Sequence, residues 1–320
     1  MKKIMLLALF VLLLCLLAFP AAAQEHGDAH CLCGGSCTSL DDHNCAAVNW
    51  KPLPAGTTDF GQLGSGHYYL TGNVTIKGAS EIKNDLSICL NGYNITTTVH
   101  RAFGNTVACT LNITDCSYEN GAWSGTVTGG TSIYGGIIYT YYRSTVNIYG
   151  GNFTGNGAYN TMGGLISVAQ DGKDDAAKYD PAYKATLNIY NGNIYGGKSG
   201  KGGNLMVMHC SVINMYGGSI HDGQVVYSES TAQPGIGGNV FIDSSATFNL
   251  YGGKIYNGTA LQGAKTIANA GSGGNIGLTG TFNMYGGEIW NGAAQHDPTT
   301  KSSGTAWDVA TAGRGGNIYA

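Results

Sequence analysis

Thr247–Gly258 reads T-F-N-L-Y-G-G-K-I-Y-N-G, and Thr281–Gly292 reads T-F-N-M-Y-G-G-E-I-W-N-G. Looser copies stand at Val212–Gly223, Thr186–Gly197 and Thr145–Gly157. The tyrosine before the turn falls at Tyr149, Tyr190, Tyr216, Tyr251 and Tyr285, in steps of 41, 26, 35 and 34 residues. A second phrase, Gly-Gly-Asn and an apolar residue, leads each unit at Gly202–Leu205, Gly237–Val240, Gly273–Ile276 and Gly315–Ile318, with looser forms at Gly135–Ile138 and Gly163–Ile166. Self-similarity at such a period is the signature of a solenoid.

Inside a unit the apolar period is two. Phe248, Leu250 and Ile255 share one face, while Asn249, Tyr251, Lys254 and Tyr256 take the other. That is strand patterning. Gly-Gly and Asn-Gly cut each unit into about three short strands. The assembly that fits is a right-handed parallel β-helix from residue 55 to the end, one unit per coil, with coils about 4.8 Å apart.

Working outward from the repeats, Met1–Ala23 has the build of a secretory signal peptide: Lys2 and Lys3, an apolar stretch, and Ala21-Ala22-Ala23 before Gln24. No later segment has the length and apolarity of a membrane span. The protein is therefore expected to be secreted or held at the cell surface. Net charge is −3, only 11% of residues are charged, and no basic patch exists, which argues against a nucleic-acid partner. Glycine is abundant at 52 residues, yet 20 tyrosines and many β-branched residues accompany it, so the composition is that of a turn-rich folded chain.

Residues 24–54 form a cysteine-rich segment with Cys31, Cys33, Cys37 and Cys45. Export favours disulfides among them. The second reading is a zinc site from Cys31, Cys33, His43 and Cys45, which have the right ligand types but not a standard finger spacing. Leu53–Thr98 reads as an entry cap, followed by a first coil strand at Leu111–Cys116. At the other end, Gly315–Ala320 starts a new coil and stops, which reads as a truncated natural chain.

The cysteine segment, Leu90–Ile95 (L-N-G-Y-N-I), Leu111–Asp115 (L-N-I-T-D) and the Tyr-Gly-Gly coils together resemble exported right-handed parallel β-helix proteins of Gram-positive, gut-type bacteria. The resemblance implies a fold of the pectate-lyase-like superfamily and export. It does not assign a function, because the same architecture houses lyases, polygalacturonases and adhesins.

Two aromatic columns are the first candidates for function. One holds Tyr149, Tyr190, Tyr216, Tyr251 and Tyr285; the other holds Tyr195, His221, Tyr256 and Trp290, with Thr154 at its start. Exposed on a flat sheet, they suit stacking against the sugar rings of a polysaccharide or host glycan; the structural reading is that they tie neighbouring coils together. Asn204, Asn239, Asn275 and Asn317 form a column expected to point inward, since Ile137 and Leu165 hold the same place in earlier coils. Asp171, Asp174, Asp175 and Asp180 offer oxygen ligands for Ca²⁺ without the spacing of a calcium loop.

For catalysis, the coil strands carry only isolated carboxylates, Asp115, Asp222, Asp243 and Glu288, where glycoside hydrolysis needs a pair. The remaining catalytic candidates are loop-borne: His296, Asp297, Asp308 and Arg314, with His221 and Asp222 nearby. The sequence thus favours a non-catalytic surface protein that contacts glycans or host material. A polysaccharide lyase or hydrolase and a structural spacer are the alternatives.

Overall fold

Each repeat folds into one coil of a parallel β-helix. The computed structural model describes residues 29–33, 47–97, 100–105, 107–155, 162–169, 180–225, 235–262, 271–296 and 315–320. Three long parallel sheets run the length of the stack. The first collects the strands that end at the tyrosine: Thr145–Ile148, Thr186–Ile189, Val212–Met215, Thr247–Leu250 and Thr281–Met284, with Thr110–Thr114, Leu86–Cys89, Gly66–Tyr69 and Lys51–Pro52 below them. The second collects the strands after Gly-Gly, such as Ser219–His221, Lys254–Tyr256 and Glu288–Trp290. The third collects the strands after Gly-Gly-Asn, such as Leu205–Met208, Val240–Ile242 and Ile276–Leu278.

Two details depart from the sequence expectation. A fourth, short parallel sheet follows the second-sheet strand in the later coils: Lys198–Ser199, Gln224–Val225, Thr259–Gln262 and Ala293–His296. And the stretch expected as an entry cap is already coiled. Gly66–Tyr69, Val74–Ile76 and Glu81–Ile82 belong to the three sheets, as do Leu86–Cys89, Asn94–Thr97 and Phe103–Asn105. These strands lack the Tyr-Gly-Gly phrase, so the repeat was hidden while the register was kept. What lies outside the coils is an antiparallel hairpin, Ala29–Cys31 with Ala47–Asn49.

Registration is residue for residue. Phe248 pairs with Ile213 on one side and Phe282 on the other; Asn249 lies between Asn214 and Asn283. The inward members of all three sheets fill the interior: Leu111, Val146, Leu187, Ile213 and Phe248 from the first, Ile194, Ile220 and Ile255 from the second, Leu205, Val240 and Ile276 from the third, all fully buried. Burying a side chain of this size contributes about 1.5–3 kcal/mol, so each coil supplies its own share of core.

Corners explain the glycines. Gly253 sits at φ +90° in the turn from first to second sheet, and Gly237 at φ +72° in the turn into the third, both in the left-handed region. Gly238 meets a different demand: a Cβ there would lie 2.1 Å from the Gly274 carbonyl oxygen of the next coil. The step between coils varies by contrast: registered Asn147 and Asn188 are 41 residues apart, and Asn188 and Asn214 only 26.

Two asparagine ladders bind the coils. Asn204, Asn239 and Asn275 are completely buried. Asn204 Nδ2 donates to Asn239 Oδ1 at 2.8 Å, Asn239 to Asn275 at 2.7 Å, and Asn275 to Asn317 at 2.9 Å. Each Oδ1 also accepts the N–H of the glycine at the corner after the second sheet, as Asn239 does from Gly223 and Asn275 from Gly258, both at 2.8 Å. Each second Nδ2 hydrogen goes to a second-sheet carbonyl, Asn239 to Tyr256 at 2.8 Å. The buried amide is thus fully satisfied. The outer ladder, half-buried on the first sheet, runs from Asn283 through Asn249, Asn214, Asn188 and Asn147 to Asn112 at 2.8–2.9 Å per link.

Replacing Asn239 by Ala orphans the Gly223 N–H and one Asn204 amide hydrogen inside the stack. It should cost about 3 kcal/mol or more, whereas Asn249→Ala on the outer ladder should cost about 1 kcal/mol. Denaturant midpoints at constant slope would read the difference.

Candidate aromatic face

The tyrosine column is built by the end of each first-sheet strand. The alternation turns Asn249 out, Leu250 in and Tyr251 out, and the chain then breaks at Gly252-Gly253. Glycine follows the tyrosine in four of the five coils, with Asn191 in that place after Tyr190; a Cβ on Gly217 would lie 2.5 Å from the Tyr190 carbonyl oxygen and one on Gly286 2.4 Å from that of Tyr251. Tyr149, Tyr190, Tyr216, Tyr251 and Tyr285 stack with centroids 4.8–5.0 Å apart and planes within 5–9° of parallel. The second column stacks as closely: Tyr195 on His221 at 5.1 Å, His221 on Tyr256 at 4.7 Å, and Tyr256 on Trp290 at 4.6 Å. Thr154 registers with Tyr195 at its start.

Between the columns, on the second sheet, runs a polar row: Asn152, Asn193, Ser219, Lys254 and Glu288, registered coil to coil. Asn193 donates to Asn152 at 3.0 Å and Ser219 to Asn193 at 2.8 Å. Two aromatic ridges therefore flank a polar row parallel to the axis.

The stacking changes what the rings can offer. A ring inside a column has both faces covered by its neighbours. Its outward edge is what it presents to solvent. Exposure grows along the stack: Tyr149 is 5% exposed and Tyr285 67%. The expectation of sugar rings lying on successive tyrosine faces is thereby narrowed to the edges, with open faces only at column ends.

His221 is the one imidazole in the second column. Its Nδ1 lies 2.6 Å from Asp222 Oδ2. Asp222 occupies the left-handed corner position, φ +53°, filled by Asn257 and Asn291 in later coils. Burial, together with the Asp222 charge, raises the Tyr256 phenol above its ordinary range, and a hydrogen bond with Ser219 partly offsets this. Asp115, by contrast, is fully buried and structural: it accepts from the N–H groups of Gly92, Ser117 and Gly125 and from the Ser117 hydroxyl.

The loop-borne constellation is not assembled by the described residues. His296 ends the strand Ala293–His296, where its backbone pairs with Gln262, so it is strand-held and not in a loop. Asp297, Asp308 and Arg314 lie outside the described residues, as do Asp171, Asp174 and Asp175. Asp180 caps a short 3₁₀ turn, accepting from the Ala182 N–H at 2.8 Å.

Of the cysteine segment, Cys37, His43 and Cys45 also lie outside the described residues. Cys33 is disulfide-bonded, which removes it as a thiolate ligand for zinc. Cys31 carries a free thiol 2.8 Å from Cys33 Sγ, so the expected pairing of all four cysteines does not hold at Cys31.

Sequence reasoning missed a different group. His30 from the hairpin meets Cys89 and Cys116 from successive coils, their ligand atoms within 4.8 Å of one another. The coil register accounts for the two cysteines, since Cys89 pairs with Thr114 two residues before Cys116, but no sequence period places His30 beside them. The hydrogen bond from Cys89 holds the Cys116 thiol down at about 6, aided by His30 and opposed by burial and by Asp115. Burial pushes the Cys89 thiol well up. For His30, burial alone would lower the ring, but its contacts with Cys116 and the Cys31 carbonyl outweigh it and the ring stands above its ordinary value.

No protein family, curated protein or solved structure matches the chain. Among the described residues, no helix is long and apolar enough to cross a membrane.

If the tyrosine column ties coils together, its middle should matter more than its end. Tyr251→Ala loses two stacked neighbours and should cost about 1–2 kcal/mol; Tyr285→Ala loses one and should cost about half of that. Equal losses in chemical denaturation would count against stacking as the source.

Proposed function

We propose that this is a non-catalytic, exported surface protein that holds extended glycans or host glycoconjugates along its second sheet. The supporting observation is the pair of aromatic columns flanking a hydrogen-bonding row, all in register along the axis. A polymer laid parallel to the axis meets the same chemistry at every coil. Ring edges and phenol oxygens line both sides, and Asn, Ser, Lys and Glu side chains lie between. Sugars carry hydroxyls and apolar C–H patches together, which is the mixture this surface complements. Each coil adds a weak contact, and affinity accrues through length, as for any multivalent ligand. The rigid stack favours binding because the side chains are already ordered. The isolation of the strand carboxylates speaks against hydrolysis here, since two are required across the scissile bond.

Binding to a panel of uncharged and acidic polysaccharides tests this. Tyr256→Ala with Trp290→Ala should weaken the best ligand about tenfold, roughly 1.4 kcal/mol, while circular dichroism stays unchanged. Failure of the wild-type chain to bind any glycan, with its fold intact, would leave the spacer role.

One observation favours an enzymatic alternative, a polysaccharide lyase or hydrolase. The His221–Asp222 pair is a carboxylate-supported imidazole on the same face. Release of unsaturated or reducing products from polygalacturonate, alginate, hyaluronan or xylan, abolished by His221→Ala, would establish turnover and displace the binding role.

A further inference from the structure

We propose that His30, Cys89 and Cys116 hold a zinc-type transition-metal ion that staples the N-terminal hairpin to two coils of the β-helix. This site differs from the zinc reading of the cysteine-rich segment, and it shares no residue with the aromatic face.

Geometry comes first. Cys89 ends the strand Leu86–Cys89, and Cys116 follows the strand Thr110–Thr114 of the next coil. Their Sγ atoms are 3.5 Å apart, much longer than a disulfide bond of about 2.05 Å. Two thiolates bound at about 2.3 Å to a tetrahedral zinc stand about 3.8 Å apart, so a few tenths of an ångström separate this arrangement from a ligating one. The His30 ligand atom completes the set within 4.8 Å.

Orientation comes second. His30 Nδ1 lies 2.7 Å from the Cys31 carbonyl oxygen. A carbonyl only accepts, so Nδ1 donates to it, and Nε2 is the nitrogen through which the ring can reach Cys116 or a metal bound there. A backbone carbonyl that fixes the tautomer is the usual outer support of a ligating histidine. Trp50 stacks on the same ring at 4.7 Å and donates its indole N–H to the His30 carbonyl oxygen at 3.1 Å, which holds the hairpin in place. The ring is thus held from two sides.

The surroundings come third. On an ordinary first-sheet strand, the position after the inward Ile88 would face solvent. Cys89 is instead completely buried. Thr114 Oγ1, on the residue registered with Cys89, is buried without a hydrogen-bond partner. Three protein ligands leave the fourth tetrahedral position to water, which would supply that partner. Cys, Cys and His are a soft-to-borderline donor set that suits zinc and not calcium or magnesium. The loop closed between His30 and Cys116 spans the hairpin and the first coils, so the ion would lock the end of the stack where neither tyrosine nor buried asparagine columns exist.

The test uses the whole chain purified without chelator. Elemental analysis should find one zinc per chain, released by a strong chelator, with Cys89 and Cys116 shielded from alkylation until release. Cobalt(II) alone, added after zinc removal, should give thiolate charge-transfer absorption. His30→Ala, which keeps both thiols and lies outside the coils, should weaken zinc at least ~10-fold, as even loss of outer-shell support does. Cys116→Ser should abolish the charge-transfer band or reduce it sharply, and Cys210→Ser should leave uptake unchanged. A Cys89–Cys116 disulfide in the metal-free purified protein would overturn the proposal. So would zinc uptake that is absent, or that is equal in wild type and His30→Ala.

Discussion

Coil-to-coil registration is the constraint on which the rest of the molecule depends. Parallel strands spaced at about 4.8 Å put each residue against its counterpart one repeat away. Any side chain that recurs must therefore tolerate being stacked on itself. Leucine and isoleucine meet this by packing, asparagine by donating one amide to the next, tyrosine by lying face to face, and glycine by leaving room for a neighbouring carbonyl. Charged residues cannot meet it, because identical charges would repeat at coil spacing. The registered row on the second sheet illustrates this, where Asn152, Asn193, Ser219, Lys254 and Glu288 never place like charges on neighbours. The low charge of the whole chain follows from the same rule.

The columns do not all begin at the same coil. The buried asparagines start at Asn204, because Ile137 and Leu165 fill the place below with apolar volume. The tyrosines start at Tyr149, above Thr114 and Cys89. Near the N-terminal end the outer face of the first sheet is covered by the hairpin, with Trp50 stacked on His30 and set edge-on to His67. The stack therefore has two regimes. Its later coils are held by repeated polar and aromatic ladders, and its first coils by a covering element with its own cysteine and histidine chemistry.

That division also sets how much the sequence disclosed. The fold, the inward and outward faces, both aromatic columns and the asparagine column were all legible, because each rests on a period that survives in the letters. The coils between Gly66 and Asn105 were not legible as coils. Their registration comes from backbone pairing between strands such as Gly66–Tyr69 and Leu86–Cys89, and neither carries the Tyr-Gly-Gly phrase. Stacking of the tyrosines is one of the two readings that their spacing offers; spacing does not give the parallel planes, within 9° of each other, that close the ring faces. The meeting of His30 with Cys89 and Cys116 depends on a hairpin folding back across two coils, a long-range event with no periodic trace.

The two amide ladders have a further consequence. In the buried one each Nδ2 reaches toward the later coil, as Asn239 does to Asn275. In the outer one each Nδ2 reaches toward the earlier coil, as Asn249 does to Asn214. The amide dipoles of the two rows are therefore antiparallel along the stack. An α-helix accumulates partial charge at its ends because its peptide dipoles align. Here the side-chain contributions oppose each other wherever both rows run, so lengthening the stack by further coils would add little axial field. A solenoid wired in this way has no electrostatic reason to stop at any particular length.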